Sequence, residues 1–215
     1  MERGAGHDLE ADVNRFPTAA DGGTDWEACY QRGETPWDKG AASPGLVEAL
    51  GWLDVVGRVL VPGCGLGHDV RALGARAEAV GLDISPSAVE RAAAMPGGGR
   101  YVCGDLFRLP FEWTGSFDWV WEHTCFCAIQ PELRPAYVDA VANVLRPGGR
   151  FLGVFYLDPG HGPGESGPPF GVSPAELDWL FGSRFRLVEE WDPSRAYPGR
   201  EGRERMRVLE KRVCR

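Results

Sequence analysis

The chain has 215 residues, 43% of them hydrophobic and 25% charged, with a net charge of −8 at pH 7 and a pI near 5.1. That composition suits one α/β domain of a soluble protein rather than two, and its acidity weighs against a polyanionic partner, because nucleic-acid binders carry a basic face. No apolar run reaches the roughly 18 residues needed to cross a bilayer, so neither nucleic acid nor membrane is an expected partner.

Residues 1–22 are rich in glycine, alanine and acid, which predicts a mobile segment. The acidic start lacks a hydrophobic signal region, and a cytoplasmic location is expected. Residues 23–215 read as a single domain, the first part of it helical. Thr24 is placed as an N-cap with Glu27 at the capping-box position. Ser43-Pro44 opens a second helix, in which Leu46, Val47, Leu50 and Leu53 recur at helical spacing.

From residue 58 strands and helices alternate. RVLV (58–61) precedes a glycine-rich loop and the helix DVRALGARA; AVGLD (79–83) precedes a helix opened by Ser85-Pro86. RYVCGD (100–105) and FDWVWE (117–122) are the next strands, and PELRPAYVDAVANVLRPGG predicts a helix ending at Pro147-Gly148-Gly149. RFLGVFYL is apolar on both faces, SPAELDWLF (173–181) is a capped helix, and FRLVEEW and ERMRVLEKR close the chain as a hairpin. The order predicts an α/β, doubly wound, mostly parallel sheet with an antiparallel edge.

The six cysteines are scattered and read as reduced thiols. Cys125 and Cys127 are too closely spaced for an ordinary zinc site, and no metal is expected.

The stretch LVPGCGLGHDV (60–70) carries the chemistry. Gly63, Gly65 and Gly67 let something approach the backbone closely. A phosphate-binding loop would end in Gly-Lys-Ser/Thr, and here Gly67 is followed by His68 and Asp69. A dinucleotide fold would need its third glycine where His68 stands. Asp83 ends the second strand, where a carboxylate can accept from both ribose hydroxyls. Asp105, in GDLF (104–107), is placed to receive an adenine amino group. A close loop, an acid for ribose and no device for pyrophosphate fit S-adenosylmethionine, whose positive charge suits an acidic protein.

With these residues in hand, the chain resembles the S-adenosylmethionine-dependent thiopurine/thiol/halide methyltransferases. The matching stretches are RGETPWDKG (32–40), LVPGCGLGHDV, VGLDISPSAVE (80–90), GDLF, CFCAIQPELR (125–134), LRPGG (145–149) and GPPF (167–170). The resemblance implies a seven-stranded class I methyltransferase sheet, Rossmann-like, with a helical cover over residues 23–55 that closes on the cofactor. It also implies methyl transfer from S-adenosylmethionine, without a metal, to a small-molecule acceptor: a thiol, thiocyanate, a halide or a thiopurine.

The residues implied to hold the cofactor are Trp26, Trp37, Pro62, Gly63, Cys64, Gly65, Gly67, Asp83, Ile84, Ser85, Gly104, Asp105, Leu106, Glu122 and Thr124. Trp37, His123, Phe126, Tyr156 and Phe170 are the expected walls of the acceptor pocket. The chain departs from the family where relatives carry Asp-Tyr-Thr or Asp-Arg-Gly and it has Glu122-His123-Thr124. His123 is the candidate catalytic residue, as a general base; a pocket-shaping or a structural histidine are the other readings. The alternatives are an O- or N-methyltransferase using His123 and, more distantly, a nicotinamide-dependent oxidoreductase. A monomer or weak homo-oligomer is expected. The arginine-rich end, interleaved with Glu201, Glu204 and Glu210, reads as a solvated hairpin face rather than an RNA site.

Overall fold

A computed structural model describes residues 16–20, 22–161 and 167–213. Seven strands form one sheet. Strands β1 (Arg58–Pro62), β2 (Glu78–Asp83), β3 (Arg100–Cys103), β4 (Phe117–His123) and β5 (Leu145–Tyr156) run parallel. Strand β6 (Phe185–Trp191) lies at one edge, and β7 (Glu204–Lys211) runs antiparallel between β5 and β6, giving the order β3-β2-β1-β4-β5-β7-β6.

The closing hairpin forms the antiparallel edge that the sequence predicts, with β7 on the inside and β6 outermost. Met206, Val208 and Leu209 of β7 are buried, whereas Leu187 and Val188 of β6 remain exposed at 46% and 36%. Composition does not decide this order: β6 (FRLVEEW) has four apolar residues in seven and β7 (ERMRVLEK) five charged residues in eight, yet β7 lies inside, with its Arg207 paired to Glu190 and Asp178.

Side chains alternate along each strand and build two cores. Val120, Phe151 and Phe155 face Tyr137, Val138 and Val141 of α5 (Arg134–Val144) and Leu177, Leu180 and Phe181 of α6 (Pro174–Phe181). On the opposite face Trp119, Trp121, Leu152 and Val154 meet Leu46 and Ala49 of α2 (Pro44–Ala49) and Val70 and Leu73 of α3 (His68–Gly74). Helix α5 stops at Val144, before the predicted Pro147 end: Leu145 is already extended, and Pro147 disfavours helical geometry at Arg146.

Helix α1 (Trp26–Arg32) is capped by Asp25, whose carboxylate accepts from Ala28 N–H at 2.9 Å, in place of the predicted Thr24. Glu27 is thereby released from a capping box. Its carboxylate instead reaches α4 (Pro86–Ala94), accepting from Ser85 Oγ at 2.6 Å, Ser87 N–H at 3.1 Å and Ser87 Oγ at 2.6 Å. Of the predicted mobile segment 1–22, residues 1–15 and 21 lie outside those described; Phe16 packs 5.5 Å from Trp37, and Thr18 pairs with Thr24. Among the described residues, no helix is long and apolar enough to cross a membrane.

Candidate active site

Strand β1 has β2 on one side and β4 on the other, so the connections leaving the ends of β1 and β4 diverge and open a crevice at their carboxyl ends. The glycine loop follows β1, and His123 ends β4. The loop is left-handed at Gly63 and Gly65, with φ of 58° and 51°. A Cβ on Gly63 would stand 2.8 Å from Cys125 Cβ, and one on Gly65 would stand 2.8 Å from the Tyr30 hydroxyl. Both glycines are thus required by backbone geometry and by the protein's own side chains. The close approach anticipated from the sequence is partly internal.

The crevice contains a cavity of about 50 Å³. Gly63, Cys64, Gly65, Leu66, His68 and Asp69 of the loop and α3 form one side; Tyr30, Trp37, Asp38, Lys39 and Ala41 form another; Val61, His123, Thr124 and Tyr197 complete it. A larger, open hollow of about 720 Å³ lies at the opposite, amino ends of β1 and β2, between Arg58, Arg76, Glu78 and Asp118. It is lined by charged side chains and backbone, far from the loop, and carries none of the predicted site residues.

Asp69 is the hub of the cavity. Its Oδ1 accepts from Ser43 N–H at 2.7 Å, and its Oδ2 accepts from Trp121 Nε1 at 2.8 Å and meets His123 Nδ1 at 2.9 Å. Burial pushes this carboxyl up, but His123, Trp121 and the Ser43 amide outweigh it and hold Asp69 below the usual aspartate range. An ionised carboxylate only accepts, so His123 carries its hydrogen on Nδ1. The ring stacks on Tyr197, centroids 5.8 Å apart at 27°, and the Tyr197 hydroxyl donates to Ala41 C=O at 2.7 Å. His123 Nε2 is buried with no hydrogen-bond partner among the described residues. Beside it Thr124 sits at φ 66°, an unfavourable conformation for a β-branched residue, its hydroxyl donating to His123 C=O at 2.6 Å.

Trp37 lines the cavity and donates from Nε1 to the Tyr30 hydroxyl at 3.1 Å; Trp26 stands behind it, centroids 5.2 Å apart, and does not line the cavity. Asp83 accepts from Gly65 N–H at 2.8 Å and Ser85 N–H at 2.9 Å, fixing the glycine loop to the end of β2. Burial raises its carboxyl above the ordinary value, against the lowering by the Ser85 and Gly65 amides. Ile84 follows with 56% exposure, and Phe107 is exposed at 40% beyond Gly104. Asp105 caps the short helix it precedes, accepting from Phe107 N–H at 2.8 Å, and Leu106 is buried.

Other predicted residues lie elsewhere. Glu122 points to the α5 face of the sheet, accepting from Phe126 N–H at 2.8 Å and from the Tyr137 hydroxyl; burial pushes it up to about 7. Adjacent strand residues face opposite sides, so with His123 in the cavity Glu122 cannot share it. Phe126 is core, its ring packed on Tyr137, Phe155 and Phe181. Pro62 is buried at the end of β1, Tyr156 lies beneath the Arg200 guanidinium at 4.7 Å, and Phe170 N–H donates to Cys127 C=O at 2.6 Å; none of these lines the cavity.

The sequence reading assigned no role to Tyr30, Asp38, Asp69 or Tyr197. Asp69 carried a signal: an acid on the first turn of the helix after the loop, where it cannot serve a phosphate. Tyr197 carried none, because the turn before β7 has no periodicity that aims a side chain back at β4.

The lining fits S-adenosylmethionine. Aromatic walls at Trp37 and Tyr30 with carboxylates at Asp38 and Asp69 suit a cation, and a left-handed loop tied to a strand-end acid suits a ribose. Among the described residues there is no group of three or more His, Cys, Asp or Glu placed to hold a metal ion. The family model of thiopurine S-methyltransferases matches residues 22–213. A thiocyanate methyltransferase of Brassica oleracea is 36% identical over 200 residues, covering 88% of this chain and 84% of that protein. A probable thiol methyltransferase of Arabidopsis thaliana is 33% identical over 191 residues, covering 84% and 82%. The fold matches the Burkholderia thailandensis 1,6-didemethyltoxoflavin N1-methyltransferase, solved with S-adenosylhomocysteine, at a TM-score of 0.67 with 20% identity over 86% of this chain and 85% of that one. The chain therefore belongs to the thiopurine S-methyltransferase family and is an S-adenosylmethionine-dependent methyltransferase of small molecules.

Proposed function

We propose that the chain methylates the sulfur of a small thiol or related nucleophile, with the acceptor seated in the cavity between the glycine loop, Trp37 and Tyr197. The observation that carries this reading is the make-up of that cavity. Its walls are aromatic at Tyr30, Trp37 and Tyr197, which favours a soft, polarisable nucleophile. The relatives named for thiocyanate and thiol methylation support the same class.

In this reading Gly63, Cys64, Gly65 and Gly67 offer backbone to the cofactor, and Asp83 receives the ribose hydroxyls with its remaining lone pairs. Ile84, Ser85, Gly104, Asp105 and Leu106 flank the adenine, and Trp37 and Thr124 border the methyl-bearing end. Trp26 acts through Trp37. Glu122, Phe126 and Pro62 support the site from the core. Helices α1 and α2, within residues 23–55, cover the corner, α1 through the bond from Ser85 to Glu27 and α2 through the Ser43–Asp69 hydrogen bond.

When bound, S-adenosylmethionine supplies a methyl group on a sulfonium leaving group. The protein's own contribution includes alignment and exclusion of water. Trp37, Tyr30 and Tyr197 wall off the acceptor, and orientation in such a site supplies much of the rate gain open to a displacement. The test is an acceptor screen with labelled methyl donor across thiols, thiocyanate, iodide, thiopurines and phenols. Transfer to sulfur is expected; transfer to phenols alone would overturn the acceptor class and leave the fold untouched.

A further inference from the structure

We propose that Asp69 and His123 form a proton-accepting pair and that the acceptor suited to this cavity is a neutral thiol, which enters carrying its S–H proton. This deepens, and rests on, the sulfur-acceptor reading above.

The geometry separates this from the two blander roles for His123. A structural histidine has both ring nitrogens satisfied. Here Nδ1 is held by Asp69 at 2.9 Å, and Nε2 is buried with no partner among the described residues. Leaving a buried acceptor unmatched costs about 1–3 kcal/mol, which a bound S–H would relieve. A residue present only for its bulk needs no buried carboxylate. Asp69 is nevertheless immobilised by Trp121 Nε1 at 2.8 Å and Ser43 N–H at 2.7 Å, so its oxygen lies in one fixed place behind the ring. The arrangement sets the tautomer with Nδ1 protonated, and Nε2 is left as the base.

The charged and titratable neighbours agree with that role. Asp69 from α3 is the carboxylate in direct contact. Glu122, one residue back on β4, faces the other side of the sheet. Glu204 of β7 senses His123 but is paired with Arg200 at 3.3 Å, and Tyr197 covers the ring face. Among the described residues, Asp69 is thus the carboxylate hydrogen-bonded to the ring.

The step balances within the site. His123 Nε2 takes the S–H proton, and the sulfur pair so freed forms the S–CH3 bond. The methyl–sulfonium bond breaks with its pair left on the departing thioether, and His123 returns the proton to water. Iodide, thiocyanate and thiols already ionised near neutral pH need no such base, so dependence on the pair grows with the acceptor's own pKa.

The test compares wild type with Asp69→Asn and His123→Gln on iodide, on thiophenol, and on an alkyl thiol whose proton is held about as tightly as that of cysteine, near 8.5. Both variants are expected to lose about a hundredfold in kcat/KM, through kcat, for the alkyl thiol. For iodide and thiophenol, which need no base, the loss is expected to be at least about tenfold smaller than for the alkyl thiol, the remainder reflecting the place of both residues in the cavity wall. Nitrogen-15 shifts of the imidazole in ligand-free protein are expected to report the Nδ1–H tautomer, with Nε2–H gaining in Asp69→Asn. Equal losses on every acceptor, or an Nε2–H tautomer in wild type, overturn the proposal. His123→Gln keeps Asp69 with its Trp121 and Ser43 donors, so it carries the test if Asp69→Asn does not fold. Methylation confined to phenols, with the same loss in both variants, overturns the thiol as substrate while retaining the base; calorimetry with S-adenosylhomocysteine shows separately whether the cofactor site is intact.

Discussion

Glu27 on α1 accepts from Ser85 Oγ at 2.6 Å, and Ser85 is also the N-cap of α4, its hydroxyl accepting from Ala88 N–H at 3.1 Å. One hydroxyl therefore joins the segment before the sheet to the turn that follows Asp83. Hydrogen bonds from Ser85 and Ser87 hold the Glu27 carboxyl down at about 2. With a folded value below the unfolded one, its contribution is present above about 4.5 and is lost as pH falls toward 2. Across the neutral range the latch is constant. Glu27→Ala is expected to weaken S-adenosylhomocysteine binding about fivefold to tenfold, with little change in Tm, because the side chain is only half-buried and its net stabilisation small. Calorimetric titration checks this; an unchanged Kd would separate α1 from the cofactor site.

Glu122 tests the opposite sign. Burial raises its carboxyl from 4.5 to about 7, despite the Tyr137 hydroxyl and the Phe126 amide. Between those values the folded protein keeps a proton that the unfolded chain releases, so stability falls as pH rises through the window. The displacement corresponds to on the order of 3 kcal/mol. Glu122→Gln keeps the shape and removes the titration. Its stability relative to wild type is expected to climb between pH 4.5 and 7 and then level off, in urea melts at matched pH. A constant difference across that range would show that Glu122 is already ionised in the fold.

Trp37 is expected to read the cofactor's charge. Its ring lies in the cavity wall, steadied by Trp26 at 5.2 Å, Phe16 at 5.5 Å and Tyr30 at 5.8 Å. A desolvated cation–π contact is worth roughly 1–2 kcal/mol. Trp37→Ala should therefore weaken S-adenosylmethionine by about tenfold more than the neutral S-adenosylhomocysteine, and Trp37→Phe should recover most of the difference. Parallel losses for the two ligands would reduce Trp37 to a packing role.

Much of this site was legible in the sequence because it is local. The glycine loop, Asp83 and Gly104-Asp105 each end a parallel strand, and a strand–turn–helix unit places its turn residues without help from the rest of the chain. Orientation across the sheet was less legible. Glu122, His123 and Thr124 are consecutive, yet only His123 and Thr124 line the cavity, since Glu122 follows the strand alternation into the α5 core. The long-range partners were least legible of all: Tyr197 reaches His123 from the turn before β7, and Ser43 N–H reaches Asp69 from the cap of α2. The position of β7 belongs with these, because alternation in FRLVEEW and ERMRVLEKR fixes a hairpin but not which strand takes the interior.

Asp83 offers the sharpest check on the cofactor corner. Its two oxygens each hold one backbone amide, Gly65 at 2.8 Å and Ser85 at 2.9 Å, so the carboxylate shapes the loop, and in the proposed reading its remaining lone pairs receive the ribose. Asp83→Asn keeps one acceptor and turns the other into a donor, which opposes an amide N–H already pointing at it. The loop at Gly65 loses its tether and the ribose loses an acceptor together, and a loss of about a hundredfold in S-adenosylhomocysteine affinity is expected from two hydrogen bonds to a charged group. Because burial raises this carboxyl, wild-type affinity should begin to fall on acidification at a pH above the ordinary aspartate range, and Asp83→Asn should abolish that fall. Calorimetry with 2′-deoxyadenosyl and adenosyl forms of the ligand separates the two effects. The variant should bind both poorly and nearly alike, whereas wild type should prefer the ribose; an equal preference in both proteins would assign the diol to another residue.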